Sequence, residues 1–521
     1  MDIQNEKKHL AEAFFQSLMK KTSHAPLVDY GLPGPFICSR KKLLILSVKL
    51  GLHLRKNSHS QRIGIILPPG LAGTIANLAV LFAGKIPVNL NFSLGSNIAE
   101  NLIQKAEIKT IISATKMMNK FPDFPWTDDL FEISTWLQKI SLTPYLLIKE
   151  AILLQFPYQL ARFFLKIPSK IDSEEATLLF TSGSSGEPKG VVLTHQNILS
   201  NCAQINRLGL FDKDAKILAN LPLFHSFGFT VSTCFPLLYD IPFVTVPSPL
   251  DVKSGLHAIQ KEKITFLLGT PTFLRGFLNK GKREDFESIR YVVAGAEKTE
   301  SSFKKKWEEF ANCSYLEGYG LTETSPGISF NLPKEGSREG SVGHLFSDIE
   351  CKTIHPETRE DLQVGESGLL CFRGPNIFSG YLNDLEKTNE VLTKENWFVT
   401  GDIGYLDQDG FLFIKGRLSR FSKIGGEMVP HETIEASIKQ ILSNQNDGET
   451  SLVVMGQPDP NKGEQLVLVS DQEIDFLELR KKLCESGLPN LWIPKKVQKI
   501  DQIPILPTGK IDIQGVKKLI V

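Results

Sequence analysis

The stretch Thr177-Leu178-Leu179-Phe180-Thr181-Ser182-Gly183-Ser184-Ser185-Gly186-Glu187-Pro188-Lys189-Gly190-Val191-Val192-Leu193 leaves an apolar strand, crosses a loop of small hydroxyl-bearing residues with one lysine, and re-enters an apolar run. Glycine lets the chain come close to oxygen atoms, while backbone N–H groups, hydroxyls and an ammonium offer donors to an anion. By composition the loop is a phosphate cradle. It is not a Walker A loop, because Lys189 stands between Pro188 and Gly190, whereas that motif places lysine between glycine and serine or threonine. A flexible glycine-serine linker is the bland alternative, but linkers seldom join two strand-like runs.

Outward from this loop, short β-branched runs alternate with helical stretches from about residue 60 to 300. Arg62 to Leu67 reads as a strand stopped by Pro68, Pro69 and Gly70; a helix follows through Phe82, then a strand from Ile86 to Leu90. Thr265 to Leu268 before Gly269, and Tyr291 to Val293 before Ala294 and Gly295, repeat the scheme. Strands alternating with helices imply parallel sheets with covered faces, whose ligands collect at the carboxyl ends of the strands. After about residue 340 the texture changes to short strands and turns. Asp409-Gly410 is predicted to join Ile403–Leu406 with Phe411–Ile414 as a hairpin. Gly416 to Gly426 reads as a linker, and the remainder as a compact α+β unit. The expected fold is α/β and α+β multidomain. A large N-terminal body, residues 1–416, holds parallel-rich sheets covered by helices plus a β-rich subdomain; a small mobile C-terminal domain, 417–521, hinges near 417–421.

The composition suits an ordinary globular chain: 521 residues, 41% hydrophobic and 22% charged, net +1. Near-neutrality argues against a general nucleic-acid binder, which carries a basic excess. The 7 cysteines are scattered without a CxxC pair, so a reducing, cytoplasmic compartment is expected. Charges interleave with the apolar residues of the first twenty positions, predicting an amphipathic helix rather than a signal peptide. Leu221 to Tyr239 has no charged residue but Asp240 follows it, and Pro222, Gly228 and Pro236 interrupt it, so a buried strand-loop-helix is predicted, not a membrane span. Leu146 to Ile167 is predicted to form two short amphipathic helices broken at Pro157. Packing on the body is one reading of them; contact with the inner face of a membrane, or gating of an acyl tunnel, is the other.

Three further motifs follow in order: Gly318-Tyr319-Gly320-Leu321-Thr322-Glu323-Thr324; then Thr400-Gly401-Asp402-Ile403-Gly404 with Gly416-Arg417 and Lys423-Ile424-Gly425-Gly426-Glu427; then Leu506-Pro507-Thr508-Gly509-Lys510-Ile511-Asp512. With the Thr181 loop they make the chain resemble the adenylate-forming superfamily of acyl and aryl synthetases, luciferases and peptide-synthetase adenylation domains. The string from Gly416 to Val429 resembles the synthetase half of the bacterial acylglycerophosphoethanolamine acyltransferase/acyl-acyl-carrier-protein synthetases.

The resemblance implies an ATP- and Mg²⁺-dependent activation of a carboxylate. Thr181, Ser182, Ser184 and Lys189 would meet the β- and γ-phosphates within a loop completed by Gly183, Ser185 and Gly186. Thr322 would touch the α-phosphate and Glu323 would hold Mg²⁺, a hard cation that prefers oxygen. Tyr319, between Gly318 and Gly320, would stack on adenine beside Gly295-Ala296. Asp402 would accept from the ribose hydroxyls, with Arg417 near the sugar or the phosphates and Gly425-Gly426 in the same nucleotide motif. Lys510 would bridge the attacking carboxylate and the α-phosphate, and His225 would wall the carboxylate pocket. Singly, each residue has a plain reading: a turn carboxylate, a solvated lysine, a core histidine.

The peptide-synthetase branch places an aspartate near the His225 segment to pair with an amino-acid ammonium. Phe224 to Phe229 holds no acid, and an unpaired buried cation is costly. Phe227, Phe229, Phe235 and Leu238 suit an apolar chain, so a medium or long fatty acid is expected. The expected acceptor is holo acyl carrier protein, an acidic bundle that Lys415, Arg417, Arg420, Lys423 and the Arg480–Lys482 and Lys495–Lys499 cations would meet; coenzyme A is the alternative. A nucleotide- and lipid-binding regulator without turnover is the reading from another class.

Overall fold

The computed structural model describes residues 8–20, 26–32, 34–169, 174–181, 188–333, 337–424, 427–443, 451–459, 463–486, 488–505 and 511–519. These divide into two compact units. One is built from described residues within Met1–Gly183, Glu187–Glu350 and Arg373–Phe398, the other from those within Cys351–Phe372 and Val399–Val521.

Short apolar runs buried on both faces require cover above and below, and parallel sheets supply it. In the first unit Phe266–Gly269, Tyr291–Ala294 and Ser314–Gly320 lie side by side in parallel, continuing through Ile217–Ala219, Phe243–Thr245 and Leu27–Asp29. Antiparallel strands close this 9-stranded sheet at both ends. A second, all-parallel sheet runs Ile86–Asn89, Arg62–Ile66, Thr110–Ser113, Asp129–Glu132. Trp307, Phe286, Phe277 and Tyr315 fill the core under the larger sheet. The alternation read between residues 60 and 300 is therefore present, with strand ends within two residues of those predicted.

The Leu71–Phe82 helix follows Gly70, which has no side chain to cap it. Asp29 supplies the missing acceptor from the neighbouring sheet, taking the Leu71 N–H on Oδ2 at 2.8 Å. The first helix, Leu10–Leu18, is the amphipathic helix predicted, with Glu12 and Gln16 on its partly exposed side, but it is buried more deeply than an amphipathic pattern requires. Phe14, Phe15, Leu18 and even Ser17 are buried in it, because neighbouring helices surround it. Leu221 to Tyr239 differs in detail too: the strand ends earlier, at Ala219, and a helix of π register, Phe227–Cys234, runs into Phe235–Tyr239. Pro236 has no N–H to give, and a widened turn absorbs that loss without breaking the helix. Among the described residues no helix is long and apolar enough to cross a membrane.

Most of a 4-stranded sheet, Glu350–Ile354, Gly368–Arg373, Phe398–Leu406 and Leu412–Arg417, belongs to the second unit. Its Phe398–Leu406 and Leu412–Arg417 strands form the predicted hairpin. The predicted linker is instead structured: after Arg417 a single turn, Leu418–Arg420, leads into the strand Phe421–Ile424. Its Gly, Ser and basic composition hid an alternation, with Ser422 and Ile424 buried and Lys423 exposed. Gly425 and Gly426 lie outside the described residues. The Phe421–Ile424 strand joins a 5-stranded sheet whose face is covered by the helices His431–Ser443 and Phe476–Glu485, the expected compact α+β unit.

Candidate active site

The strand Glu175–Thr181 pairs antiparallel with Lys189–Thr194, and the register sets Thr181 opposite Lys189. Both ends of the cradle loop are thereby fixed. Ser182, Gly183, Ser184, Ser185 and Gly186 lie outside the described residues. Directly after the second strand, Thr194 caps the His195–Arg207 helix: its Oγ1 accepts from Asn197 N–H at 3.1 Å, and Asn197 Oδ1 accepts from Thr194 N–H at 2.9 Å. Asn197 also donates through Nδ2 to the carbonyls of Pro375 and Ile377, at 2.9 and 2.7 Å. That pins a distant segment ending in Gly380–Tyr381, a short strand paired with Val191 and Val192.

Tyr381 is the residue that ties the site together, and the sequence reading did not include it. Its hydroxyl donates to Glu323 Oε1 at 2.9 Å, and its ring lies 4.9 Å from Lys189 Nζ, a cation–π contact. Phe378 holds the ring edge-on, 5.0 Å between centroids. Phe378 N–H also donates to the Glu323 carbonyl at 2.8 Å. Thus two predicted residues from separate motifs, Lys189 and Glu323, converge on one tyrosine.

Glu323 sits in a single 3-10 turn, Thr322–Thr324, which lies beside the Lys189–Thr194 strand. Asn376 braces this turn, donating to the Thr324 and Gly327 carbonyls at 2.7 and 2.9 Å while its own carbonyl accepts from Ser325 Oγ at 2.9 Å. Asn201 repeats the support, donating through Nδ2 to the Gly327 carbonyl at 2.9 Å and accepting from Gly327 N–H on Oδ1 at 3.1 Å. Neither asparagine carries a local sequence signal; each acts through carbonyls far away along the chain. The carboxylate of Glu323 is half-buried, and its Oε2 accepts nothing from the described residues. No cluster of three or more His, Cys, Asp or Glu exists among the described residues. A single carboxylate with an open oxygen fits a metal ion that takes most of its ligands from substrate oxygens and water, as Mg²⁺ does.

The glycine motifs meet at the ends of the parallel strands. Gly295 N–H donates to the Gly269 carbonyl at 3.2 Å. A Cβ on Gly295 would stand 3.6 Å from both the Gly318 carbonyl oxygen and the Phe227 ring, so three segments adjoin there. Ala296 follows with φ +68°, a conformation that costs a non-glycine residue about 1–2 kcal/mol and is held by its surroundings. Tyr319, half-buried, pairs with Ser329 at a bulge. At Gly320 a Cβ would fall 1.9 Å from the Pro326 carbonyl oxygen, so this position admits only glycine. His225 is half-buried at the start of the π-register helix, its carbonyl accepting from Phe229 N–H at 2.8 Å, and its ring packs 4.7 Å from that of Phe224. Gly228 lets this helix press on the preceding turn, since a Cβ would lie 2.1 Å from the Pro222 carbonyl oxygen.

In the second unit Asp402 and Arg417 face each other across the hairpin, Arg417 Nε to Asp402 Oδ1 at 3.1 Å. Asp402 is buried and Arg417 exposed. Thr400 Oγ1 accepts from Asp402 N–H at 3.0 Å and donates to the Leu370 carbonyl at 3.0 Å. Lys510 lies outside the described residues. Arg420 does not offer the surface cation expected of it: the guanidinium is buried, donating to the Val454 carbonyl at 3.2 Å and paired with Glu435.

Comparison with known proteins agrees with this architecture. The chain is 29% identical over 503 residues to a long-chain-fatty-acid–CoA ligase of Bacillus subtilis, covering 90% of this chain and 88% of that protein. It is 25% identical over 536 residues to the corresponding ligase of Escherichia coli O157:H7, covering 96% and 93%. Among solved structures, ATP-bound MatB from Rhodopseudomonas palustris superposes with a TM-score of 0.79 at 23% identity, covering 98% of each chain. Residues 39–382, which carry the cradle strands, the Gly318–Thr324 motif and Tyr381, match the AMP-binding enzyme family, and the chain belongs to that family.

Proposed function

We propose that this protein activates a fatty acid with ATP, releasing pyrophosphate, and passes the acyl group to the thiol of coenzyme A. The observation that carries the first step is the Lys189–Tyr381–Glu323 convergence: an ammonium and a metal-binding carboxylate held on one scaffold, as a triphosphate requires.

In the first step a carboxylate oxygen attacks the α-phosphorus and the bond to the bridging oxygen of pyrophosphate breaks. Thr181 and Lys189 bind the β- and γ-phosphates, with Ser182 and Ser184 of the loop, and Thr322 donates to the α-phosphate. Glu323 would hold Mg²⁺, which when bound would supply charge neutralisation for the departing pyrophosphate. Tyr319 stacks on adenine at the Gly295–Ala296 turn, Asp402 takes the ribose hydroxyls, and Lys510 holds the two anions together. In the second step the thiolate attacks the acyl carbon and AMP leaves with the bonding pair. Residues 417–521 rotate about 417–421 between the steps.

The acid is assigned from the Phe227–Tyr239 helix, whose buried Phe229, Phe235, Leu237 and Leu238 carry no charge to match an ammonium. Relatives named as long-chain-fatty-acid–CoA ligases support the same substrate and favour coenzyme A over the carrier protein expected from sequence. Acyl carrier protein is the second reading. It rests on exposed Arg480, Lys495 and Lys496, but is weakened by the burial of Arg420 and by the pairing of Lys423 with Glu357 and Lys482 with Glu478. Fatty-acid-dependent exchange of labelled pyrophosphate into ATP, run over acids of increasing chain length, tests the first step. Exchange that peaks with long acids is expected; none with any acid would leave a silent regulator. Thioester on coenzyme A and none on holo carrier protein is expected for the second step, and the reverse would restore the carrier.

A further inference from the structure

In the helical excursion between Ile133 and Pro168, the polar groups Glu150, Tyr158 and Arg162 are turned to the body. Glu150, with its side chain 2% exposed, takes Lys49 Nζ at 3.2 Å. The Tyr158 hydroxyl and Arg162 both donate to Glu12 Oε1, at 2.9 and 2.7 Å.

Ile133, Ile140, Ala161, Leu165 and Ile167 are buried, but a second set of apolar groups faces outward. Tyr145, Ile148 and Ile152 recur at three- and four-residue spacing along the turn Pro144–Leu147 and the helix Ile148–Leu153, and all are exposed, Tyr145 by 65%. On the Tyr158–Phe164 helix the exposed residues are Leu160, Phe163 and Phe164, Phe163 by 73%. The Phe156 ring reaches Phe164, 6.3 Å between centroids, and joins the two helices into one patch. Isolated exposed apolar residues are ordinary, but a contiguous set on two adjoining helices marks a contact surface.

Charge names the partner. From Ile133 to Ser169 the one carboxylate is Glu150, buried and paired, whereas Lys139, Lys149 and Lys166 stand exposed around the patch. We propose that this face docks on an anionic phospholipid bilayer, with Phe163, Phe164, Ile148 and Ile152 in the acyl boundary and the lysines among the headgroups. The helices are far too short to span, so the protein lies on the surface. The purpose of docking rests on the fatty-acid reading, because fatty acids partition into bilayers; the physics of the patch does not.

Co-sedimentation of the full chain with phosphatidylcholine vesicles, with and without phosphatidylglycerol, tests this in the absence of ATP and fatty acid. Binding to the anionic vesicles that weakens with salt is expected. Replacing Phe163 and Phe164 together by serine is expected to cut it at least about tenfold. Lys149→Glu with Lys166→Glu is expected to do likewise, each double variant melting at the wild-type temperature. Wild type left in the supernatant, or variants that bind as it does, would overturn the proposal. So would gel filtration showing a dimer that the phenylalanine variant dissolves, since the face would then belong to a second copy. If vesicle binding holds while pyrophosphate exchange fails, the lipid surface stands and the fatty-acid reading falls.

Discussion

Glu323 illustrates how little one residue type says before its partner is known. A glutamate in a glycine-rich turn is an ordinary turn carboxylate; one whose Oε1 is occupied by Tyr381 while Oε2 accepts nothing from the described residues is a carboxylate oriented as the proposed metal role requires. The Tyr381 hydroxyl acts through Glu323, so it is a positioning residue. Tyr381→Phe keeps the ring over Lys189 and removes the bond. A hydrogen bond to a charged group is worth about 1.5–3 kcal/mol, so kcat/KM should fall by roughly tenfold or more. The Mg²⁺ concentration for half-maximal exchange should rise with it, whereas a tyrosine of purely structural use would leave the metal dependence unmoved. Glu323 and Lys189 were legible as motif members. Tyr381, Asn376 and Asn201 were not, because each meets its target through strand pairing or a backbone carbonyl remote along the chain.

At the scale of elements, Phe227–Cys234 and the segment that follows the Asp402 hairpin show two ways in which composition misleads. The first looked like strand, loop and helix because prolines and a glycine interrupt an apolar run. Those residues instead permit a π-register helix pressed on its own entry turn. Gly228→Ala must displace the Pro222 carbonyl, at a cost of about 1–3 kcal/mol. Thermal denaturation should show the loss, with exchange activity falling as the His225 segment moves; an unchanged melting temperature would mean that the turn is not held there. The second, Gly416 to Gly426, looked like a linker because glycine, serine and lysine dominate. Burial of Ser422 against His431, Oγ to Nε2 at 2.9 Å, makes part of it a strand.

On the scale of the whole molecule, His431 makes the stability of the second unit depend on pH. Burial, with the Arg420 guanidinium close by, pushes the imidazole down from 6.5 to about 3, and Nδ1 has no partner among the described residues. The native state therefore keeps His431 neutral while the unfolded chain takes a proton below about 6.5. Its contribution is complete above that pH and is lost as pH falls toward about 3, at about 1.4 kcal/mol per pH unit. Hydrogen exchange in the Leu452–Asp459 and Gly463–Ser470 strands, corrected for intrinsic rates, should report the decline, and His431→Gln should flatten it. The same slope in the variant would place the proton uptake elsewhere.

Sequence alone determined the parallel α/β scheme, since strand and helix periods and glycine-marked strand ends are local properties of the chain. It also determined the order of the motifs and the absence of an acid beside His225. Tertiary structure decided which residues answer one another. Strand register brought Tyr381 to Lys189 and Glu323, cover by neighbouring helices buried Leu10–Leu18, and burial removed Arg420 from the surface. Periodicity is written into neighbouring residues, whereas contact and desolvation depend on segments far apart in the chain, and only folding brings those together.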